Sequence, residues 1–546
     1  MAAKVEAAKF ALNHGVHCIL CNGVCMCVCE CVCVCAHAYR CVCVCTCVCV
    51  YTHTHTHTHT GHHQDVLQKI FEGRSVGTLF TRMAEDQAAP HVRAMEARAA
   101  SRELVTKPAS DRRAILETFA KKISKNVELI LSANQDDLNT LGSHSGVDSE
   151  VNPGALKRAQ QHARSVALTK RKVKALSTAV ECIAIQASNA VGKNTRWMKV
   201  ADGLYLEQEA VPMGVALCVF DDTSPDAVAQ VAALCLASGN AVMLKGTERA
   251  GQKTIAVMHS LLTEALREHK VSSNACTLIH HREAFEDYLS LDGHIDLVIP
   301  RGGRELQQFV NNSTKIPVLG DSEALCHVYV HKDADVAMAA NIIFDSKCSY
   351  TGFGQYALQN ILVHAAIIEQ GGLEELLTPL TSNGVTVFAG PRLRAQFRTQ
   401  TLKMPAARSL NVEWDAVGQW ACAIEVVDTL DDAIAHINVH GSHHTDVIVT
   451  ADDLEARIFN KGVQSACVFH NCSIRFSDSY AFGLGQQVGM ETKRNASRGP
   501  VGIEGLMTSK WLLKGQGHVT ESVGEVRSSS WVLQKKCVTC GMDVSI

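Results

Sequence analysis

The sequence carries no excess of charge of either sign. Lys and Arg total 52 against 55 Asp and Glu, a formal net charge of −3 over 546 residues. Nucleic acid and anionic membranes are bound through clustered positive charge, so neither is expected as a partner. No apolar run reaches the roughly 20 residues that span a bilayer, and Glu30 and Arg40 interrupt the most apolar low-complexity stretch. The charged, apolar and cleavage regions of a secretory signal are not recognisable. Cys537-x-x-Cys540 has no second pair to complete a zinc site, and no metal is expected. What is present is 47% apolar and 20% charged residues, an ordinary globular composition in a chain long enough for two or three cores.

Cysteine is abundant only by count. Of 24 cysteines, 13 fall between Cys18 and Cys49, and 11 are scattered from Cys182 to Cys540. Dispersed thiols in a chain this long indicate a reducing compartment rather than a disulfide framework. Residues 24–50 largely alternate Val and Cys, and residues 52–60 alternate Thr and His. Repeated TG and CA dinucleotides encode these two alternations. Residues 1–82 are therefore expected to be a translated dinucleotide repeat without a core, upstream of a true start at Met83. Metal binding by the ladder is the weaker reading, because no closed ligand spacing stands out from it.

From residue 83 the pattern becomes regular. Helices are expected from Glu96, over 110–123 with Ser110 as N-cap, and over 126–138, followed by a glycine- and proline-bearing loop over 139–154. Helical segments resume at Ala155. Val215–Phe220 has strand length. Ser224-Pro225-Asp226 then supplies a cap, a first-turn proline and an acid for a helix that Gly239 ends. Strands follow at Ala241–Lys245, Cys276–His280 and Ile295–Ile299, with helices over 255–269 and 283–290. Such alternation makes a parallel, doubly wound sheet whose strand ends share a crevice. A second α/β series has strands at Cys326–Val330, Asn360–His364, Val385–Phe388, Cys422–Val427, Asp446–Thr450 and Ser465–Phe469.

Several local motifs bear on chemistry. Pro300-Arg301-Gly302-Gly303 joins a strand to a helix, where backbone N–H groups can approach an anion; a plain tight turn is the equal alternative. Lys245-Gly246 ends a strand, where the lysine either grips a ribose hydroxyl or phosphate or is simply solvated. Phe482-Gly483-Leu484-Gly485, with Gly489, has GxGxxxG spacing rather than the dinucleotide fingerprint. Arg498-Gly499-Pro500 is a rigid loop with one cation, suited to a carboxylate or phosphate, or to a structural bend.

Taken together, the segments resemble γ-glutamyl phosphate reductase (glutamate-5-semialdehyde dehydrogenase), a branch of the aldehyde dehydrogenase superfamily. The phrases that carry this include Val211-Pro-Met-Gly-Val215, Ser238-Gly-Asn-Ala-Val-Met-Leu-Lys245, Ile295-Asp-Leu-Val-Ile-Pro-Arg-Gly-Gly303, His444-Thr-Asp446, Phe482-Gly-Leu-Gly485 and Arg498-Gly-Pro-Val-Gly502. The resemblance spans roughly 95–516. It implies an aldehyde-dehydrogenase-like α/β fold, a Rossmann-type cofactor domain plus a second α/β catalytic domain. The implied layout is N-terminal helices and an NADP-binding domain over 83–310, a catalytic-type domain over 311–470, and a return to the cofactor domain with an oligomerisation segment over 471–516. An irregular tail over 517–546 closes the chain. The resemblance also implies a cytoplasmic homo-oligomer that uses NADPH to reduce L-glutamate 5-phosphate, a small-molecule substrate, to the semialdehyde through a cysteine thioester. Lys245, Gly246, Pro300, Gly302, Gly303, Gly483 and Gly485 match the cofactor region. Asp226 falls near the reacting carbonyl, and Ser224, His444 and Arg498 fall on the substrate side.

One departure is central. Counting back from Ile361 by the family's spacing, the nucleophile position is Gln355; counting forward from Tyr350 gives Gly354. Neither is cysteine, and the nearest thiol is Cys348. Ser224 stands where the family has arginine, Gln359 where it has an acid, and Glu248-Arg249 departs from its basic-then-acidic pair. The alternative expectation is a catalytically silent homologue that binds nucleotide or partners an active subunit.

Overall fold

The computed structural model describes residues 17–21, 24–28, 78–80, 89–144, 167–187, 190–220, 226–246, 251–279, 286–320, 324–349, 357–411, 420–478, 482–483, 485–494, 497–520, 534–536 and 543–545. Two compact units divide the chain, Met1–Ala89 and Pro90–Ile546. In the first unit, strands His17–Cys21, Val24–Val28 and Thr78–Phe80 form an antiparallel sheet with His17–Cys21 in the middle. The Thr-His alternation lies outside the described residues.

The second unit holds two parallel sheets. The first contains β1 (Val215–Phe220), β2 (Ala241–Gly246), β3 (Cys276–Ile279) and β4 (Leu297–Arg301), in the order β3-β2-β1-β4. Every residue of β1 and β2 is buried, because helices cover both faces of such a sheet and the strands read as continuous apolar runs. Alternation divides them between two cores. Ala216, Cys218 and Phe220 pack with the helices α1 (Asp226–Ala237) and α2 (Gln252–Glu268), while Val215, Leu217 and Val219 pack on the opposite face with Ala94 and Ala97. Gly239 ends α1 at φ +80°, and a Cβ there would lie 2.7 Å from Pro212, so this position requires glycine twice over.

The second sheet contains β5 (Cys326–Val330), β6 (Leu358–His364), β7 (Thr386–Ala389), β8 (Ala421–Val427), β9 (Thr445–Val449) and β10 (Cys467–His470), ordered β7-β8-β6-β5-β9-β10, with every pairing parallel. Two further cores sandwich it. Val328, Ile361, Ile424 and Val447 face one, and Tyr329, Leu362 and Ile448 face the other. The fold class is thus the doubly wound α/β arrangement expected from the strand and helix alternation.

The structure differs from sequence expectation in places. Ser110 is not the cap of its helix. The helix begins at Ala109 with Pro108 in the capping position, and the Ser110 hydroxyl donates to Asp111; a proline with φ −60° already presets the first turn. The next helix continues through Gly142 to His144, into the stretch expected to be a loop. A three-stranded antiparallel sheet of Asn194–Ala201, Leu204–Pro212 and Met507–Lys514 was not expected. Its strands are largely exposed or half-buried and show no clean apolar alternation. Two short strands, Gln534–Lys536 and Asp543–Ser545, lie beyond it, with Lys535 paired to Met198.

Candidate active site

Strand order reverses beside β1. The chain builds β2 and β3 on one side and returns to place β4 on the other, which opens a crevice at the carboxyl ends. Register sets the sequence-expected residues along that edge. Lys245 and Pro300 flank Val219, and Gly246 and Arg301 flank Phe220. Lys245 is buried rather than solvated. Gly302 and Gly303 follow, and Gly303 occupies the N-cap of α3 (Arg304–Ser313), where a Cβ would meet nothing within 4 Å. Backbone amides at a helix start with open space before them suit an anionic group.

A shallow cleft opens beside the end of β4. Pro300, Arg301, Gly302 and Gln307 line one side; Leu319, Gly320, Gly489 and Met490 line the other. The absent side chain of Gly489 leaves room for Arg301, whose guanidinium would stand 3.0 Å from a Cβ at that position. Sequence reasoning noted Arg301, Gly489 and the phrase Ile316-Pro-Val-Leu-Gly320 without assigning these residues a role; the φ of +116° at Gly320 marks a turn that favours glycine. It missed Glu491. This fully buried carboxylate accepts the amides of Gly320 at 3.0 Å and Lys493 at 2.8 Å.

At the amino ends of the second sheet the chemistry comes from side chains. His444 is buried, with Nδ1 2.8 Å from Thr445 Oγ1 and 3.8 Å from Cys326 Sγ. Asp446 accepts the His327 amide, lies 2.8 Å from His327 Nδ1, and accepts the Ser465 hydroxyl. The amide of Cys467 donates to His444 O at 3.0 Å. Burial pushes the Cys467 thiol up to about 11, against the pull of Thr445 and Arg498. Arg498 donates to Thr492 O at 3.2 Å and to Gln464 O. The fold therefore brings His444 and Arg498 to one corner.

A hairpin of β11 (Gly489–Glu491) and β12 (Gly499–Val501) touches both edges. Glu491 holds Gly320, Lys493 reaches Asn311 on α3 at 3.0 Å, and Arg494 and Arg498 reach Gln464 beside β10.

Other expected residues fall elsewhere. Gly483 and Gly485 both have positive φ, and a Cβ on Gly485 would lie 2.2 Å from the Gln186 side chain; packing against Gln186 accounts for that glycine without a ligand. Phe482 stacks edge-on against Phe469 at 5.8 Å. Cys348 ends α4 (Val336–Cys348), half-buried against the second sheet's core. Burial raises its thiol above the ordinary value despite Lys347 and Arg475 nearby. Among the described residues no cysteine lines the cleft. Gly354, Gln355 and Ser224 lie outside the described residues, as does the side chain of Asp226, which opens α1. Among the described residues no cluster of three metal-ligating side chains is assembled, and no helix is long and apolar enough to cross a membrane.

A strand-order reversal with a glycine-rich strand-to-helix turn at its carboxyl edge, together with a second parallel sheet, fits the class: the chain belongs to the aldehyde dehydrogenase family, whose profile matches residues 71–385. Within it the chain falls in the γ-glutamyl phosphate reductase branch. It is 36% identical over 404 residues to γ-glutamyl phosphate reductase of Haloquadratum walsbyi, covering 74% of this chain and 85% of that protein. It is 39% identical over 467 residues to Delta-1-pyrroline-5-carboxylate synthase A of Arabidopsis thaliana, covering 84% of this chain but 62% of that one. The chain thus spans about three fifths of the synthases it matches. The crystal structure of γ-glutamyl phosphate reductase from Thermotoga maritima superposes with a TM-score of 0.71 at 26% identity, covering 79% of this chain and all of that one. A glyceraldehyde-3-phosphate dehydrogenase from Methanocaldococcus jannaschii, complexed with NADP, shares the fold at 13% identity and a TM-score of 0.53, covering 81% of this chain and 97% of that one.

Proposed function

We propose that the chain reduces L-glutamate 5-phosphate to glutamate-5-semialdehyde with NADPH and releases phosphate, a step toward proline, as a homo-oligomer in the cytoplasm. The observation that carries this is the 36% identity across 85% of a γ-glutamyl phosphate reductase. NADP(H) fits the carboxyl edge of the first sheet. Lys245 and Gly246, with Pro300, Gly302 and Gly303, supply one buried cation and open backbone around a turn made for a phosphate. The nicotinamide, when bound, supplies the hydride. The resemblance assigns Gly483 and Gly485 to the cofactor side too, although contact with Gln186 already accounts for Gly485. His444 and Arg498 hold the substrate at the other corner, and the resemblance assigns Ser224 and Asp226 to the same task.

Acyl transfer needs a nucleophile, and loss of a catalytic one costs on the order of 10⁶ in rate. Cys348 is the thiol nearest in sequence to the family position. Because burial raises its pKa, turnover through Cys348 would climb with pH to beyond the ordinary thiol value of 9.0. A second reading rests on Gly354 and Gln355 at the nucleophile position: neither side chain forms a thioester, so the chain is a silent homologue that binds nucleotide. Semialdehyde-dependent NADP⁺ reduction with phosphate present decides between them. Turnover that Cys348→Ala abolishes supports the first reading with that thiol. No turnover, with NADPH still bound by fluorescence titration, supports the second.

A further inference from the structure

The turn of the β11–β12 hairpin carries two cations that the chemistry above uses only in part. Arg494 and Arg498 converge on one residue: Arg494 donates to the Gln464 side-chain oxygen and Arg498 to the Gln464 carbonyl. Arg498 is further fixed by its bond to Thr492 O. All three acceptors are neutral. Among the described residues neither arginine forms an ion pair with a carboxylate. The nearby acids are engaged elsewhere, Glu491 by two amides and Asp446 by His327 and Ser465. Burial and the charge of Arg494 lower the pKa of Arg498, the mark of like charges held together without a counter-ion.

Two guanidiniums anchored on one residue repel each other unless something anionic sits near both. Their anchors hold the planar forks in place, so little side-chain freedom remains to be lost when an anion arrives. Arginine forks match the oxygens of a phosphoryl group two at a time. The position is apt as well, since the same hairpin reaches the cofactor cleft through Glu491 and Gly320 and the His444 corner through Gln464 and Cys467.

We infer that Arg494 and Arg498 form a two-pronged clamp for the phosphoryl group of the substrate, which makes Arg494 a specificity-determining residue. The inference rests on the proposed reductase reading, in which Arg498 is the one arginine assigned to the substrate. The clamp predicts that a doubly charged phosphoryl group is preferred over a carboxylate.

Calorimetric titration of the full chain with inorganic phosphate tests it, with L-glutamate as the parallel ligand. Phosphate should bind the wild-type protein. Arg494→Gln, in an exposed turn that does not threaten folding, should weaken that binding by about tenfold or more. Arg494→Lys should fall between the two, since charge is kept and the fork lost. Phosphate binding unchanged in Arg494→Gln overturns the clamp. So does a wild-type protein that binds no phosphate, or one in which Arg494→Gln weakens glutamate alone. Where turnover is measurable, the Michaelis constant for phosphate in the reverse direction should rise about tenfold in Arg494→Gln with kcat little changed. Phosphate binding lost in the variant of a protein without turnover keeps the clamp and removes the reductase reading. Turnover with an unaltered phosphate constant does the reverse.

Discussion

The two parallel sheets reverse their strand order in the same way, and among the described residues the ends of their strands are furnished differently. In the first, the reversal falls between β1 and β4, and a cleft lies at the end of β4, bordered by Pro300, Gly302 and the small residues Gly320 and Gly489. In the second, the reversal falls between β5 and β9. There His331 Nδ1 sits 2.6 Å from Asp333 Oδ1, and the Thr450 hydroxyl donates to the same oxygen at 2.7 Å. Asn471 accepts the Thr450 amide at 3.0 Å, and His364 packs edge-on against His331. Side chains that bond to one another furnish this edge. Topology offers a crevice, and the residues placed in it decide whether it becomes a site.

Breaking the bonded cluster of the second sheet should have the largest effect. Asp333→Ala removes the acceptor shared by His331 and Thr450, and should lower unfolding stability by about 2 kcal/mol in chemical denaturation. NADPH affinity should stay as it was; a parallel loss would show that the two edges are not independent. A smaller effect is expected at the first sheet. Gly303→Ala puts a methyl group into empty space at an ordinary φ of −70°. Stability should change by no more than about 0.5 kcal/mol, while the NADPH dissociation constant in fluorescence titration should rise about tenfold, near 1.4 kcal/mol. Unaltered affinity would remove this turn from the cofactor site.

The smallest effect is a pH dependence. Burial pushes the Asp333 carboxyl up, but the Thr450 hydroxyl and His331 outweigh it and hold it below its usual value. A carboxylate depressed in the folded state contributes stability above its unfolded pKa, near 4, and that contribution is lost as pH falls through the lower folded value. The gap in melting temperature between the wild type and Asp333→Asn should therefore be constant near neutrality and narrow in acid. A constant gap to the lowest pH reached would show that the hydrogen bonds, not the charge, are what the asparagine disturbs.

Sequence reasoning succeeded where a local cause acts. The bounds of Cys326–Val330 and Val215–Phe220 match the strands because apolar runs bounded by turn residues need no distant partner to be read. The turn at Pro300–Gly303 was legible for the same reason. Distant partners defeated it elsewhere. The N-terminus of α2 has no capping side chain of its own, since Gly251 precedes it. Asp137 instead accepts the amides of Lys253 and Thr254 and the Thr254 hydroxyl, from a helix more than a hundred residues earlier. Glu491 was invisible likewise, because its partner Gly320 lies far upstream and a lone glutamate in a strand signals nothing by itself. The pairing of Arg494 with Arg498 exists only once Gln464 is folded against both.

The hairpin has a consequence for anyone who would recombine this protein with a relative. In chain order the second sheet ends at His470, which looks like a natural seam. Yet Gly489–Val501 is stitched to Gly320 and Asn311 on one side and to Gln464 on the other. A chimera that exchanges residues 326–470 alone would inherit the hairpin from one parent and its Gln464 anchor from the other. The interchangeable module is the second sheet together with the turn that fastens it.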